Sequence, residues 1–211
     1  MLLGVLSQDA IALMPLPQDV LSEMVVWLEV PTLLSFRQCC SLADRVVSRE
    51  LNIRRNRCLH PYIAFPDPFR ALLRIAGAVV VGSSAALFFD PTAPYTSSDL
   101  DVSVPAGFGQ RFQTYLQHCE GYTHHADVDP LDDYIGGLTR TIRMRKDNLQ
   151  IDILESHTPL AAFPVPHFLG THLFCWLSAD SFCTAYPGLA FERRSLITEN
   201  HIFFANAYSA A

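Results

Sequence analysis

At 211 residues, with 21 acidic and 15 basic side chains and a formal charge of −6, the chain is long enough for one medium domain or a small one with an appendage. Half of its residues are hydrophobic, which argues against disorder. The acidic balance argues against an extended DNA- or RNA-binding face but leaves room for a local nucleotide cradle. Six cysteines (Cys39, Cys40, Cys58, Cys119, Cys175 and Cys183) form no Cys-x-x-Cys knuckle, so buried free thiols in a reducing compartment are expected.

Met1 to Met14 is apolar but lacks a basic leader and contains Gln8 and Asp9, so neither a signal peptide nor a membrane span is expected, and cytoplasm or nucleus is the default. From Leu16 to about Tyr62 the chain reads as three short helices. Val20, Leu21, Met24 and Leu28 share the face of the first. Pro31 and Thr32 restart the chain before Leu33, and a third helix runs from Ala43 into Arg54-Arg55-Asn56-Arg57, a basic run expected at a solvated helix end. Leu16-Pro17-Gln18-Asp19-Val20-Leu21 with Glu23-Met24, followed by Leu33-Leu34-Ser35-Phe36-Arg37 and Cys39-Cys40, resembles an F-box. That resemblance implies docking to a Skp1-type adaptor of a ubiquitin ligase through Leu16, Pro17, Leu21 and Leu33. The alternative is that these helices brace the following domain.

His60 to Pro68 holds three prolines and reads as a linker, and a helix from Phe69 to about Ala76 leads into Val79-Val80-Val81, a short buried strand. Gly82-Ser83-Ser84 follows at once and opens a helix-like segment, Ala85 to Phe89. Free backbone N–H groups at such a helix start, with the serine hydroxyls, suit phosphate. A loop broken by Pro91 and Pro94 leads to Ser98-Asp99-Leu100-Asp101-Val102-Ser103-Val104. Its period of two puts Asp99 and Asp101 on one face and Leu100, Val102 and Val104 on the other. Two carboxylates on one face repel each other unless a hard cation lies between them.

Phe108 to His118 reads as an amphipathic helix carrying Phe112, Tyr115 and Leu116. His124-His125-Ala126-Asp127-Val128-Asp129-Pro130-Leu131-Asp132-Asp133 is dense in metal-ligand types, but its spacing fits a proline-containing acidic loop better than a closed site. Gly136-Gly137 opens a hairpin with arms Leu138 to Arg145 and Leu149 to Leu154 around Asp147-Asn148. A two-residue turn there sets Arg143 opposite Asp152, Arg145 opposite Gln150 and Met144 opposite Ile151. Arg143 then has two readings, an ion pair with Asp152 or a contact to phosphate. His167 to Leu177 reads as one buried helix, Tyr186-Pro187-Gly188 as a turn, and Phe191 to Ile197 as the start of another element.

Hydrophobic-Gly-Ser, then Asp-x-Asp on a strand, then hydrophobic-Asp-hydrophobic on a later strand (Gly82-Ser83, Asp99-Leu100-Asp101, Ile151-Asp152-Ile153) resembles the DNA polymerase β-type nucleotidyltransferase superfamily over roughly Pro66 to Glu155. The loop between Ser83 and Asp99 is longer than in most members. The resemblance implies an α+β fold: a mixed β-sheet nucleotidyltransferase-like core with flanking helices, over residues 66–200, preceded by the small three-helix F-box-like segment of residues 15–62. It also implies that Asp99, Asp101 and Asp152 hold Mg²⁺ or Mn²⁺ and are catalytic. Gly82, Ser83 and Ser84 would then hold the triphosphate of a nucleoside triphosphate substrate, with Arg143 nearby, and an unidentified hydroxyl would be the acceptor. Such a segment joined to such a domain resembles a group of fungal proteins. The competing reading is an adaptor whose transferase-like domain serves recognition without catalysis.

Overall fold

In the computed structural model, residues 16–128 and 137–197 are described. Met1 to Met14, the Asp129 to Asp133 part of the His/Asp-rich stretch and Gly136 lie outside them. The chain divides into two compact units between Arg54 and Arg55, and each is described by itself.

The first unit holds helix α1 (Gln18–Val25), α2 (Val30–Phe36) and most of α3 (Ser41–Leu59). On α1 the buried residues are Leu21 and Val25, at i and i+4. The expected face of Val20, Leu21 and Met24 is therefore rotated, since Val20 and Met24 stay 40% and 50% exposed. Pro31 sits in the first turn of α2, where its missing N–H has no helical partner to lose. The basic run on α3 is solvated only in part: Arg57 is exposed, but Arg54 and Arg55 are buried. The Arg54 guanidinium donates from Nη2 to the carbonyls of Val25, Val26 and Leu28 at 3.2, 3.0 and 2.8 Å. It also pairs with Glu50 at 2.8 Å. A cation on the carbonyls at and just beyond the end of α1 satisfies acceptors in a stretch where helical bonding runs out, and that demand overrides the tendency of arginine to stay in water.

The second unit is a seven-stranded mixed sheet with helices. Helix α4 (Pro66–Ala76) buries Phe69, Leu72, Leu73 and Ala76, a stripe at helical spacing, and ends where Gly77 turns left-handed at φ +66°. Strand β1 (Val79–Val81) runs directly into α5 (Gly82–Phe89), and β2 (Leu100–Val104) follows the proline loop. Helix α6 (Gly109–Tyr115) continues as one wider π turn to Glu120, two residues beyond the expected end. Then come β3 (Thr123–Val128), β4 (Leu138–Lys146), β5 (Leu149–Ser156), β6 (Cys175–Leu177), β7 (Phe182–Thr184) and the short α7 (Pro187–Phe191). The order across the sheet is β3-β4-β5-β2-β1-β6-β7. Strands β2 and β5 are parallel and every other pair is antiparallel.

Register decides what each face carries. Asp101 pairs with Asp152 and with Val81, and Ser103 with Leu154 and Val79, so these residues share a face. The opposite face holds Val80, Leu100, Val102, Val104, Ile142, Met144, Ile151 and Ile153, none more than 1% exposed. Helix α6 packs there against β4 and β5, and Phe112 meets Phe69 of α4 edge to face with centroids 6.3 Å apart. On the first face, Val79, Val81 and Leu154 pack with Ala161, Val165, Phe168 and Phe174. One end of that face is thus apolar core and the other is carboxylate.

Four segments differ from the sequence reading. The stretch from His124 forms edge strand β3 rather than a loop: it is weak in strand-forming side chains but pairs with β4 through a bulge between His124 and Ala126. His167 to Leu177 is not a helix. Pro164 and Pro166 precede it, and Gly170 is extended at φ −164° and ψ 165°. Cys175 to Leu177 then covers the edge of β1, with Leu177 opposite Val80. A short apolar run reads equally well as buried helix or strand, and the unpaired edge of β1 decides it. Finally, the proline-rich linker is packed, with Tyr62 and Ile63 buried, and Tyr186 to Gly188 leads into α7 rather than a free turn.

Candidate metal centre

The site is built where β1 ends and β2 and β5 begin. Gly82 turns the chain from β1 into α5 at φ +69°, and a Cβ placed on it would overlap the Asp101 carboxylate oxygen. Both the backbone angle and the lack of space therefore demand glycine here. Ser83 and Ser84 occupy the first turn of α5. The buried Ser84 hydroxyl donates to the Asp99 carbonyl at 3.0 Å.

Ser97, which the sequence reading passed over, ties these parts together. Its Oγ lies 2.7 Å from Ser83 Oγ and 2.9 Å from Ser84 Oγ, and donates to the Asp99 carbonyl at 2.6 Å. Its own carbonyl accepts from Tyr62 Oη at 2.9 Å. A serine two residues before an Asp-x-Asp pair was the available signal for Ser97; for Tyr62 the sequence offers none. The long loop thus closes onto the Gly82-Ser83-Ser84 turn through a serine, even with Pro91 and Pro94 in it.

Asp99 lies one residue ahead of β2, Asp101 on β2 and Asp152 on β5. Each offers a carboxylate oxygen, and these oxygens all lie within 4.8 Å of one another. Asp99 and Asp101 are half-buried and Asp152 is buried. Burial, then the neighbouring Asp99 and Asp152 charges, pushes the Asp101 carboxyl well above the usual carboxylate range. Burial and then Asp152 likewise raise Asp99. Asp152 is compensated: Arg143 Nε donates to Oδ1 at 3.0 Å and Nη2 to Oδ2 at 2.8 Å, a bidentate pair across the β4–β5 register. Gln150 Nε2 adds a bond at 3.3 Å. Arg145, on the same face, is exposed and reaches Gln150 at 3.4 Å.

Three hard oxygen donors, two of them poor carboxylates unless a cation is near, make a donor set that fits Mg²⁺ or Mn²⁺ better than a thiophilic metal. Among the described residues no other group of three His, Cys, Asp or Glu side chains is placed to share an ion. On β3, His124 Nε2 meets Asp127 Oδ1 at 3.1 Å as an exposed pair.

No family model matches the chain, and no curated protein matches it. Among solved structures, a tRNA nucleotidyltransferase complexed with a primer tRNA and an incoming ATP analogue is similar with a TM-score of 0.41 and 14% identity, over 57% of this chain and 35% of that one. The chain thus spans about a third of that protein's length, and a likeness of this degree decides neither fold nor activity.

Proposed function

We propose that the second unit is a metal-dependent nucleotidyltransferase that moves a nucleotide from a nucleoside triphosphate to a hydroxyl acceptor. The observation that carries this reading is the convergence of Asp99, Asp101 and Asp152 within 4.8 Å beside a glycine whose missing Cβ makes room for Asp101. Asp99, Asp101 and Asp152 would hold Mg²⁺ or Mn²⁺, and the ion would supply charge neutralisation at the triphosphate and a lowered pKa at an acceptor hydroxyl. Ser83 and the amides at the start of α5 bind the phosphates. Ser84 is buried and bound to the Asp99 carbonyl, so its part is to position the loop. Asp152, on the strand beside Asp101, is the group placed to assist removal of the acceptor proton. Arg143 orients Asp152 by its two-pronged pair, which favours the ion-pair role over phosphate contact.

The test is incubation of the full chain with each labelled nucleoside triphosphate and Mg²⁺, following pyrophosphate release and self-labelling. Label or pyrophosphate that disappears in Asp99→Asn/Asp101→Asn supports the reading, and equal product from the double variant contradicts it.

A second reading has its own support. In the first unit Leu16, Val20, Met24, Val26 and Trp27 are exposed, Trp27 at 86%, and so many exposed apolar side chains on one short segment suit a protein partner. On this reading the segment is F-box-like and recruits a Skp1-type adaptor. Leu16 and Pro17 are exposed whereas Leu21 and Leu33 are buried. The contact is then made by Leu16, Pro17 and Trp27, while Leu21 and Leu33 shape the helices. Capture of a purified Skp1-type adaptor by the chain but not by Trp27→Ala is the expected result, and no capture by the wild type removes the reading.

A further inference from the structure

The second unit also carries a half-open cavity of about 340 Å³ whose lining includes none of the three site carboxylates. That volume falls in the range of small-molecule sites, roughly 300–1,000 Å³. Ala86 and Phe89 of helix α5, Tyr95 of the proline loop and Ala190 of α7 line it. The alanines make the space, since each stands where a larger side chain would fill it.

The walls are fixed before any ligand arrives. Arg193 bonds Asp90 Oδ2 from Nε at 2.7 Å and Thr92 Oγ1 from Nη2 at 2.7 Å, strapping the C-terminal segment to the proline loop. His172 Nδ1 lies 2.8 Å from Ser195 Oγ. Thr171 N donates to the Leu196 carbonyl at 2.9 Å, and Leu196 N to Thr171 Oγ1 at 3.0 Å. At the rim stands Arg194, whose Nη1 meets Glu192 at 3.2 Å with both side chains more than 60% exposed. A surface pair of that kind is weak, so a ligand anion competes for it on favourable terms.

We propose that this cavity is a binding site for a small ring-bearing organic monoanion, with the ring against Ala86, Phe89 and Tyr95 and the anionic group on Arg194. The volume is too small for a polynucleotide; the lining's one carboxylate, Asp90, is paired with Arg193, which leaves the Arg194 guanidinium to favour an anionic ring over a neutral one. It stands independently of the carboxylate site, although the same loop serves both: Tyr95 precedes Asp99 by four residues, a reach of at most about 14 Å.

The experiment is calorimetric titration of the full chain, without metal or nucleotide, using 2-naphthoate as the anionic ring and 2-naphthalenemethanol as its neutral counterpart. Saturable one-to-one binding of 2-naphthoate is expected, with the alcohol at least roughly tenfold weaker and Arg194→Gln weakening the acid by a similar factor. Ala86→Phe abolishes binding by filling the space. Because a phenylalanine on α5 risks unfolding, Ala190→Phe fills the cavity from α7 and is expected to do the same, with folding of each variant checked by melting. Asp99→Asn/Asp101→Asn binds 2-naphthoate as the wild type does. The assignment is overturned by any of four results: no saturable binding at millimolar 2-naphthoate, wild-type binding in a folded cavity-filling variant, equal affinity for acid and alcohol or for wild type and Arg194→Gln, or loss of binding in the double carboxylate variant.

Discussion

Replacing Asp101 with asparagine tests the electrostatics of the site without any assumption about the reaction. Two unit charges 4.8 Å apart, the outer separation of the three carboxylate oxygens, repel by about 3.5 kcal/mol at an effective dielectric of about 20. Asp101 faces two such neighbours, and burial raises its pKa first, with Asp99 and Asp152 adding to the effect. Part of the repulsion is already relieved, because Asp101 takes up a proton more readily when folded and Arg143 offsets Asp152. A net gain on the order of 1–3 kcal/mol in the metal-free protein is therefore expected for Asp101→Asn, or roughly 2–10 °C in melting temperature for a chain of this size.

The pH dependence follows from linkage. Between the unfolded carboxyl value, about 3.9, and the raised folded value, the folded state binds the extra proton. Wild-type stability in chelator therefore falls as pH rises through that window, and the fall flattens in Asp101→Asn. Mg²⁺ reverses the comparison: at ten times its dissociation constant it stabilises the wild type by about 1.4 kcal/mol and leaves the variant nearly unmoved. Melts by circular dichroism, with chelator and with Mg²⁺ across pH, read all of this. A variant less stable than the wild type in chelator, together with a wild type indifferent to Mg²⁺, refutes the reasoning.

Arg143→Met leaves Asp152 buried without its bidentate partner, so a loss of about 3–5 kcal/mol is expected in chemical denaturation; an unchanged midpoint together with weakened nucleotide binding assigns Arg143 to phosphate instead. Gly82→Ala meets both an unfavourable φ and the Asp101 carboxylate, so it is expected to destabilise by more than about 1 kcal/mol and to weaken Mg²⁺ binding, and a wild-type melt with normal Mg²⁺ response contradicts the close approach. Trp27→Ala, at 86% exposure, is expected to change stability by no more than about 0.5 kcal/mol, and a large loss in the melt shows that the ring is packed.

The carboxylate site was legible in the sequence because it depends on local rules. Period-two alternation put Asp99 with Asp101, and a two-residue turn at Asp147-Asn148 set Arg143 opposite Asp152, which is the observed register. What joined the two strands was not legible, since the parallel pairing of Asp101 with Asp152 spans fifty residues of sequence. Ser97 and Tyr62 were missed for a related reason: their value lies in bonds to Ser83, Ser84 and each other that only the closed loop creates. The misread helix at His167 to Leu177 shows tertiary context overriding an ambiguous apolar run, and buried Arg54 shows helix-end carbonyls drawing a charge inward.

Whether Asp99, Asp101 and Asp152 together hold a divalent cation is read by Mn²⁺ titration followed by electron paramagnetic resonance. The expected result is saturable loss of the free-Mn²⁺ signal with the wild-type chain, competition by Mg²⁺, and no such loss with Asp99→Asn/Asp101→Asn in a protein that still melts cooperatively. Equal Mn²⁺ uptake by the wild type and the folded double variant, or no uptake by the wild type at millimolar ion, would contradict it.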